Sequence, residues 1–203
     1  MTYIPVERVR RYLSTNDPDI MKKDDLLLEE DLDRAQGIIE NLTGRTFEGY
    51  KDTHFFNADT GSANEHGYGV KDDGITLMLD EDLVKAFAVK NGDGTVIGAN
   101  DYVYKPTNRK PKYAIVLKND VWTYSSSPLN AISVRGWWGY CLGQNIPYDI
   151  QQACLRLTAY LYRQKDAQVF ETTAFLEGGV LTVPQGFPID VLKICLNRRR
   201  NAL

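Results

Sequence analysis

The spacing of apolar residues changes twice along the chain, and this change constrains the fold more than any single motif. Near the N-terminus, apolar residues recur at intervals of three and four, as on one face of a helix. These residues are Leu28, Leu32, Ala35, Ile39 and Leu42. Between about 50 and 140 the apolar runs are short or alternate, as in strands. Helical spacing returns after Pro147, so the sequence predicts an α+β fold.

The two helical regions flank the β-rich one. We therefore predict a helical bundle body at residues 1–49 and 141–203, made of N-terminal helices and two C-terminal helices. The β-rich insert at 50–140 is expected to form a small sandwich or barrel, because turn residues recur in it every 8–12 positions. Pro5, Pro147 and Pro188 stand where helices are predicted to begin.

Within the insert, the predicted strands are short. GITLML and VKAFAVKN are expected to be separate strands, with the acidic LDEDL at 79–83 between them as a solvated turn. NGDGT at 91–95 predicts a hairpin turn. The segment 57–74 has almost no apolar content and is expected to be a long exposed loop or an irregular hairpin.

Composition limits the class of protein. The 203 residues are 43% hydrophobic and 25% charged, which is typical of a soluble globular protein. Neither a run of about 18 apolar residues nor an apolar core of signal-peptide length is present, so we expect synthesis and use in a cytoplasm. Cys141, Cys154 and Cys195 lie far apart and are expected to remain reduced thiols.

The net charge of −3 is unevenly distributed. There are 7 basic and 11 acidic side chains over residues 1–50, 10 and 11 over 51–140, and 7 and 5 over 141–203. A nucleic-acid binder usually presents a broad basic face. The sequence shows one short basic cluster, NRRRN near the C-terminus. The lack of a broad basic face argues against tight DNA binding.

Catalytic patterns are missing from the sequence. His54 and His66 are the only histidines, and neither has a ligand partner at helical or hairpin spacing. The NGDG segment lacks the later bidentate acid that a calcium loop requires. We therefore expect no enzyme activity, no metal site and no cofactor.

Two adjacent tryptophans stand where the β-rich region returns to the helices, in VRGWWGYC. Neighbouring strand residues point to opposite faces, so Trp137 and Trp138 cannot share one flat sugar-stacking platform without a bulge. We predict that one lies in the core of the β region and the other against the helices. Together with Tyr140, they would form a structural seam between the two regions.

Several segments in order resemble one viral family. They are DRAQGIIENLTGRTFE, ISVRGWWGY, IPYDIQQACLRLTAYLYRQKD, the short EGG, and FPIDVLKICLNRRR. In this order and spacing they resemble the head–tail connector, or adaptor, family of tailed bacteriophages. The resemblance covers both helical regions, a little over half of the chain. Shorter members have only a small connection where this sequence has its β-rich insert, so the chain resembles a long form.

The resemblance implies a structural, non-enzymatic virion protein. Such adaptors form a ring, usually of twelve copies, at the neck of the virion after assembly in the host cytoplasm. The ring docks on the portal protein, and the stopper or tail-completion protein binds below it. Viral DNA passes through the central channel during ejection without specific binding. No cofactor and no membrane are implied.

The resemblance also assigns contact residues. Portal or inter-subunit contacts are expected at Phe187, Ile189, Arg198, Arg199 and Arg200. A loop expected to contact the stopper or a neighbouring copy contains Phe175, Leu176, Gly178 and Gly179. An acidic side of the first long helix is expected to face the channel, where like charge prevents sticking. Its residues are Glu29, Glu30, Asp31 and Asp33.

Two other readings of the sequence stay open. The β-rich region could be a carbohydrate- or receptor-binding tail module that uses Trp122, Trp137, Trp138 and Tyr140. That function requires exposed, coplanar aromatic rings. The chain could also be an enzyme of a type that its motifs do not reveal.

Overall fold

The computed structural model describes residues 2–13, 25–143, 145–164 and 187–200, apart from the side chain of His66. The helices are α1 Val6–Leu13, α2 Asp25–Thr43, α3 Ser62–His66, α4 Tyr148–Gln164 and α5 Ile189–Arg198. The strands are β1 Tyr50–Phe56, β2 Gly69–Val70, β3 Thr76–Lys90, β4 Val96–Ile97, β5 Tyr102–Lys105, β6 Lys112–Leu117 and β7 Ile132–Trp138. The predicted mixture of helices and antiparallel strands is confirmed.

The chain divides into two compact units. The helical unit comprises Met1–Gly44 and Pro147–Arg199. The sheet unit comprises Arg45–Ile146 and Arg200–Leu203. The sheet unit is therefore inserted in sequence between α2 and α4. No described helix combines the length and the apolar character needed to cross a lipid bilayer.

The helical unit is built on the apolar stripe of α2. Leu28, Leu32, Ala35 and Ile39 are buried, and α2 packs chiefly against α4. The helix ends at Gly44, which has a φ of 62° and donates its N–H to the carbonyl oxygen of Glu40 at 2.8 Å. A left-handed glycine is a common helix stop.

Side-chain pairs join the helices of this unit to one another. Arg8 donates to Gln151 Oε1 at 2.6 Å, which links α1 to α4. Arg198 donates to Asp149 Oδ2 at 2.7 Å, which links α5 to α4. Residues distant in sequence are thereby brought together in one helical layer.

The sheet unit contains one antiparallel sheet. Its strand order is β1-β7-β3-β6-β5, and β2 and β4 pair with further parts of β3. The predicted barrel is not found, because β1 and β5 do not pair and the sheet stays open. Its core is formed by apolar residues from most of these strands, including the fully buried Phe56, Leu77, Leu83, Ile115 and Trp138.

Strand β3 corrects the sequence interpretation of the LDEDL segment. The two predicted strands are one 15-residue strand, and LDEDL lies inside it instead of forming a solvated turn. The first half pairs with β6 and the second half with β7, with bulges after Leu83 and Ala86. Gly136 on β7 faces the second half, where an added Cβ would lie 2.6 Å from the carbonyl oxygen of Lys85.

The segment 57–74 is more ordered than predicted. It contains α3 and β2, and its aliphatic side chains Ala58, Ala63 and Val70 are buried. Ser62 Oγ accepts a hydrogen bond from the Val70 N–H at 2.9 Å, which joins the two ends of this part of the segment.

The hairpin predicted at 91–95 is confirmed, because Asn91 N–H donates to the Thr95 carbonyl at 2.8 Å between β3 and β4.

Candidate functional site

The two adjacent tryptophans lie on opposite faces of β7, as strand alternation predicts. Trp138 is fully buried, and its ring stacks on His54 with 3.8 Å between centroids. Its indole N–H donates to the carbonyl oxygen of Asp52 at 3.1 Å. Trp137 is half-buried on the other face, where Lys51 Nζ lies 4.9 Å from its ring centroid.

The tryptophans do not form the exposed, coplanar set of rings that stacking on a sugar requires. Trp122 and Trp138 are 4% and 0% exposed, so neither ring can cover a bound sugar. Tyr140 is half-buried and packs on Phe47, with 5.3 Å between ring centroids. Trp137 is partly accessible, and its ring contacts Lys51 and Phe87 of the sheet unit. The role of the pair as a seam with the helical unit stays a prediction.

His54 is linked to the acidic part of β3. Its Nδ1 lies 2.9 Å from Asp80 Oδ1. Burial lowers the pKa of His54, but the hydrogen bond and charge of Asp80, with smaller effects of Glu81 and Asp52, outweigh burial, so the pKa is raised above its ordinary value. Protonated His54 therefore stabilises the fold below about pH 6.5, and this stabilisation is lost as the pH rises through the folded-state pKa.

Replacing Asp80 with asparagine is expected to lower the pKa of His54, because the opposite charge is removed while burial remains. An NMR titration of the imidazole in the wild-type protein and in Asp80→Asn measures this directly. The pH dependence of the melting temperature should become weaker in the variant over the range in which His54 titrates. An unchanged titration curve would contradict the assigned interaction.

A buried carboxylate forms the centre of a second cluster in the sheet unit. The Asp82 side chain is 3% exposed and forms an ion pair with Arg45. Arg200 donates to the carbonyl oxygens of Leu79 and Asp80 on the same strand. Burial raises the pKa of Asp82, although the positive charges of Arg45 and Arg200 act in the opposite direction. The free-energy cost of burying the Asp82 charge thus depends on the presence of Arg45 and Arg200.

A cavity of 290 Å³ opens beside this cluster. It is lined by Arg45, Asp82, Pro106, Arg109, Lys110, Pro111, Tyr113, Tyr140 and Arg200. Arg109 and Lys110 come from the β5–β6 hairpin KPTNRKPK, which holds four cations in eight residues and no acid. The sequence interpretation missed this basic cluster, since it took NRRRN as the only one. Its charge density was the signal that could have revealed it.

The C-terminal arginines have three different environments. Arg198 is the last residue of α5 and pairs with Asp149. Arg199 and Arg200 follow the helix, so only Arg198 belongs to its last turn. Arg199 is exposed, whereas Arg200 contacts β3. Of the other predicted portal contacts, Phe187 is 37% exposed and Ile189 is 71% exposed.

The acidic side of α2 has three exposed members instead of four. Glu29, Glu30 and Asp33 are exposed, but Asp31 is 8% exposed and lies beside the buried stripe. The reason is helical geometry, since Asp31 follows Leu28 by three residues and therefore shares its side of the helix. That the exposed acids face a channel stays a prediction. The predicted contact loop with Phe175, Leu176, Gly178 and Gly179 lies outside the described residues.

The described residues contain no group of three or more histidine, cysteine, aspartate or glutamate side chains that could hold a metal ion. The three cysteines are unpaired. Burial raises the pKa of Cys154 to about 12, so this thiol remains protonated at neutral pH.

Comparison with known proteins gives a match in structure only. No protein-family model matches the sequence, and no curated protein does either. Among solved structures, a chain in the neck of an empty gene transfer agent (GTA) particle, computed with C6 symmetry, has a TM-score of 0.55 and 17% identity. That alignment covers 97% of this chain and 89% of the other.

Two further structures agree with this match. A chain in the neck of the native GTA particle, computed with C12 symmetry, has a TM-score of 0.54 and 16% identity, covering 97% of this chain and 88% of the other. A chain in the virion of the native GTA particle has a TM-score of 0.53 and 16% identity, covering 97% and 89%. This chain therefore shares its fold with these particle proteins over nearly its whole length.

Proposed function

We propose that this protein is a structural component of a phage-type virion neck, where it forms the head–tail adaptor ring. The observation that carries the proposal is the shared fold over 97% of this chain and 88% of a chain in a neck computed with C12 symmetry. The alignment thus includes both the helical unit and the sheet unit. A match confined to one unit would have supported only a common building block.

In this role the protein acts through geometry and contacts. Twelve copies form a ring that joins the portal protein to the stopper or tail-completion protein, and DNA passes through the ring. The burial of Trp122 and Trp138 leaves the carbohydrate-binding alternative without its platform.

The portal contact is assigned to the exposed side of α5 and the residue that follows it. Ile189 and Leu196 are 71% and 63% exposed, and they are seven residues apart, which places them on the same side of the helix. Val191 and Cys195 occupy the buried side. Arg199 adds an exposed guanidinium that can pair with carboxylates on a partner. Arg198 and Arg200 are not assigned to the portal contact, because they contact Asp149 and β3 within the chain.

Electron microscopy of the purified protein mixed with the portal protein of the same virus tests the proposed function. A collar of twelve-fold symmetry on the portal is the expected result. Binding to a glycan by a monomer or trimer, with no collar on the portal, would contradict it.

The combined variant Ile189→Ser, Arg199→Glu is expected to reduce co-sedimentation with portal rings by about tenfold or more, because it removes an apolar contact and reverses a charge. These substitutions leave the Arg198–Asp149 and Arg200–β3 contacts intact, unlike a truncation of the C-terminus. Arg11→Glu, an exposed charge reversal on α1, is the matched control and should bind normally. Undiminished binding by the combined variant would contradict the assigned surface.

A further inference from the structure

One face of the sheet carries four cations where β1, β7 and β3 pair. The outward positions form three rows, which are Lys51–Trp137–Lys85, Thr53–Arg135–Ala88 and Phe55–Ser133–Lys90. Their neighbours on β7, Ile132, Val134 and Trp138, are buried on the other face. No carboxylate occupies any of these outward positions, so the charges of the face are all of one sign.

Aromatic side chains lie among these cations. Phe87 is the extra residue of the bulge after Ala86, is 47% exposed, and meets the Trp137 ring edge-on with 6.5 Å between centroids. Phe55, at the end of the third row, is 56% exposed. We define the cationic face as Lys51, Lys85, Phe87, Lys90, Arg135 and Trp137. Arginine and aromatic residues are enriched in protein–protein interfaces.

Within the described residues, none of the four cations forms an ion pair with a carboxylate. Lys51, Lys85, Lys90 and Arg135 are all exposed. Like charges without a counter-charge repel one another, and the aromatic rings between them expose apolar area to water. An acidic surface with some apolar area would satisfy both features.

The same chain presents such a surface on α2. We define the acidic stripe as Leu26, Glu29, Glu30 and Asp33, which follow one another at helical spacing and are exposed. Leu26 is 75% exposed and supplies the apolar part. Across the part of the chain that the structure describes, none of the three carboxylates forms an ion pair. The stripe thus carries the charge opposite to that of the cationic face, and its exposed Leu26 offers an apolar contact for the aromatic rings of that face.

We propose that the cationic face of one copy binds the acidic stripe of the next copy. Two different surfaces then meet in a heterologous contact, which generates a ring when the rotation between successive copies closes. The proposal deepens the ring function proposed above, and it gives Glu29, Glu30 and Asp33 a subunit contact instead of the channel position expected from sequence. Nucleic acid is the less suitable occupant of the cationic face, because exposed Phe55 and Phe87 match the exposed Leu26 of the stripe and the chain carries a net charge of −3.

Reciprocal charge reversal tests this contact. The face variant is Lys85→Glu, Arg135→Glu, and the stripe variant is Glu29→Lys, Glu30→Lys. Sedimentation velocity at low ionic strength, where charges act over ~30 Å at 0.01 M salt, should show self-association of the wild type. Each variant alone should associate about tenfold or more weakly, because like charges then meet. An equimolar mixture of the two should associate again, since both mixed contacts pair opposite charges.

The matched control is Lys105→Glu, Arg109→Glu, which makes the same charge change at exposed residues of the β5–β6 hairpin. It should associate like the wild type. Circular dichroism confirms that every variant is folded. Normal association of the face or stripe variant, or a mixture that stays dissociated, would overturn the proposal.

Two further outcomes separate this proposal from the proposed neck function. A wild-type protein that stays monomeric at low salt overturns the contact, whereas a twelve-fold collar on the portal would still support the neck function. A gel-shift assay with duplex DNA tests the competing occupant. DNA binding that the face variant loses, with unchanged self-association, would also overturn the contact.

Discussion

Replacing Trp138 with alanine is expected to lower the free energy of unfolding by about 3–5 kcal/mol. The ring is fully buried, stacks on His54 and packs near Phe56, so its loss leaves a cavity in the centre of the sheet core. The carbonyl of Asp52 also loses its hydrogen bond from the indole. Urea unfolding can be followed by the fluorescence of Trp122 and Trp137, which both report on the sheet unit.

Trp137→Ala is the matched control on the same strand. Its ring is half-buried, and its contacts with Lys51 and Phe87 are at the surface. The expected loss is about 1 kcal/mol, the size of an exposed cation–π contact. Equal urea midpoints for Trp138→Ala and the wild-type protein would show that the ring is not part of the core.

Replacing Arg45 with methionine is expected to cost about 3–5 kcal/mol, because the buried carboxylate of Asp82 then loses its ion-pair partner. The Asp82 side chain is only 3% exposed, so water cannot take the place of the guanidinium. Burial already raises the pKa of Asp82, and loss of Arg45 should raise it further. The cost should therefore decrease as the pH falls and Asp82 becomes neutral.

Urea unfolding at neutral and at mildly acidic pH measures this effect. Adding Asp82→Asn to Arg45→Met should recover part of the lost stability, because a neutral amide is cheaper to bury than a carboxylate. Arg135→Met, an exposed arginine of β7, should change stability by no more than about 0.5 kcal/mol. A cost that does not vary with pH would mean that the Asp82 charge is not its origin.

Local signals predicted several parts of the structure. The apolar spacing of Leu28, Leu32, Ala35 and Ile39 predicted the buried side of α2. The NGDGT segment predicted where a hairpin turns, since glycine tolerates backbone angles that other residues avoid. Strand alternation predicted opposite faces for Trp137 and Trp138. Each of these features depends on residues that are close in sequence.

Other features depend on partners that are distant in sequence. LDEDL has the composition of a turn, but it continues β3 because Arg45 and Arg200 neutralise Asp82 from 37 and 118 positions away. Asp31 is acidic like its neighbours, yet the helical period puts it beside the buried stripe. The open sheet likewise depends on how β3 divides its pairing between β6 and β7.

The candidate surfaces show the same division. The sequence by itself predicted an acidic side of α2 that includes Glu29, Glu30 and Asp33. Only the structure showed that Asp31 is buried and that the exposed Leu26 belongs to the stripe. Only the tertiary structure decided the cationic face, whose charges come from β1, β3 and β7. Lys51, Lys85 and Arg135 form no cluster in the chain. The antiparallel register places them on one face, because side chains alternate between faces along each strand, and the spacing of about 4.8 Å between strands brings them close together.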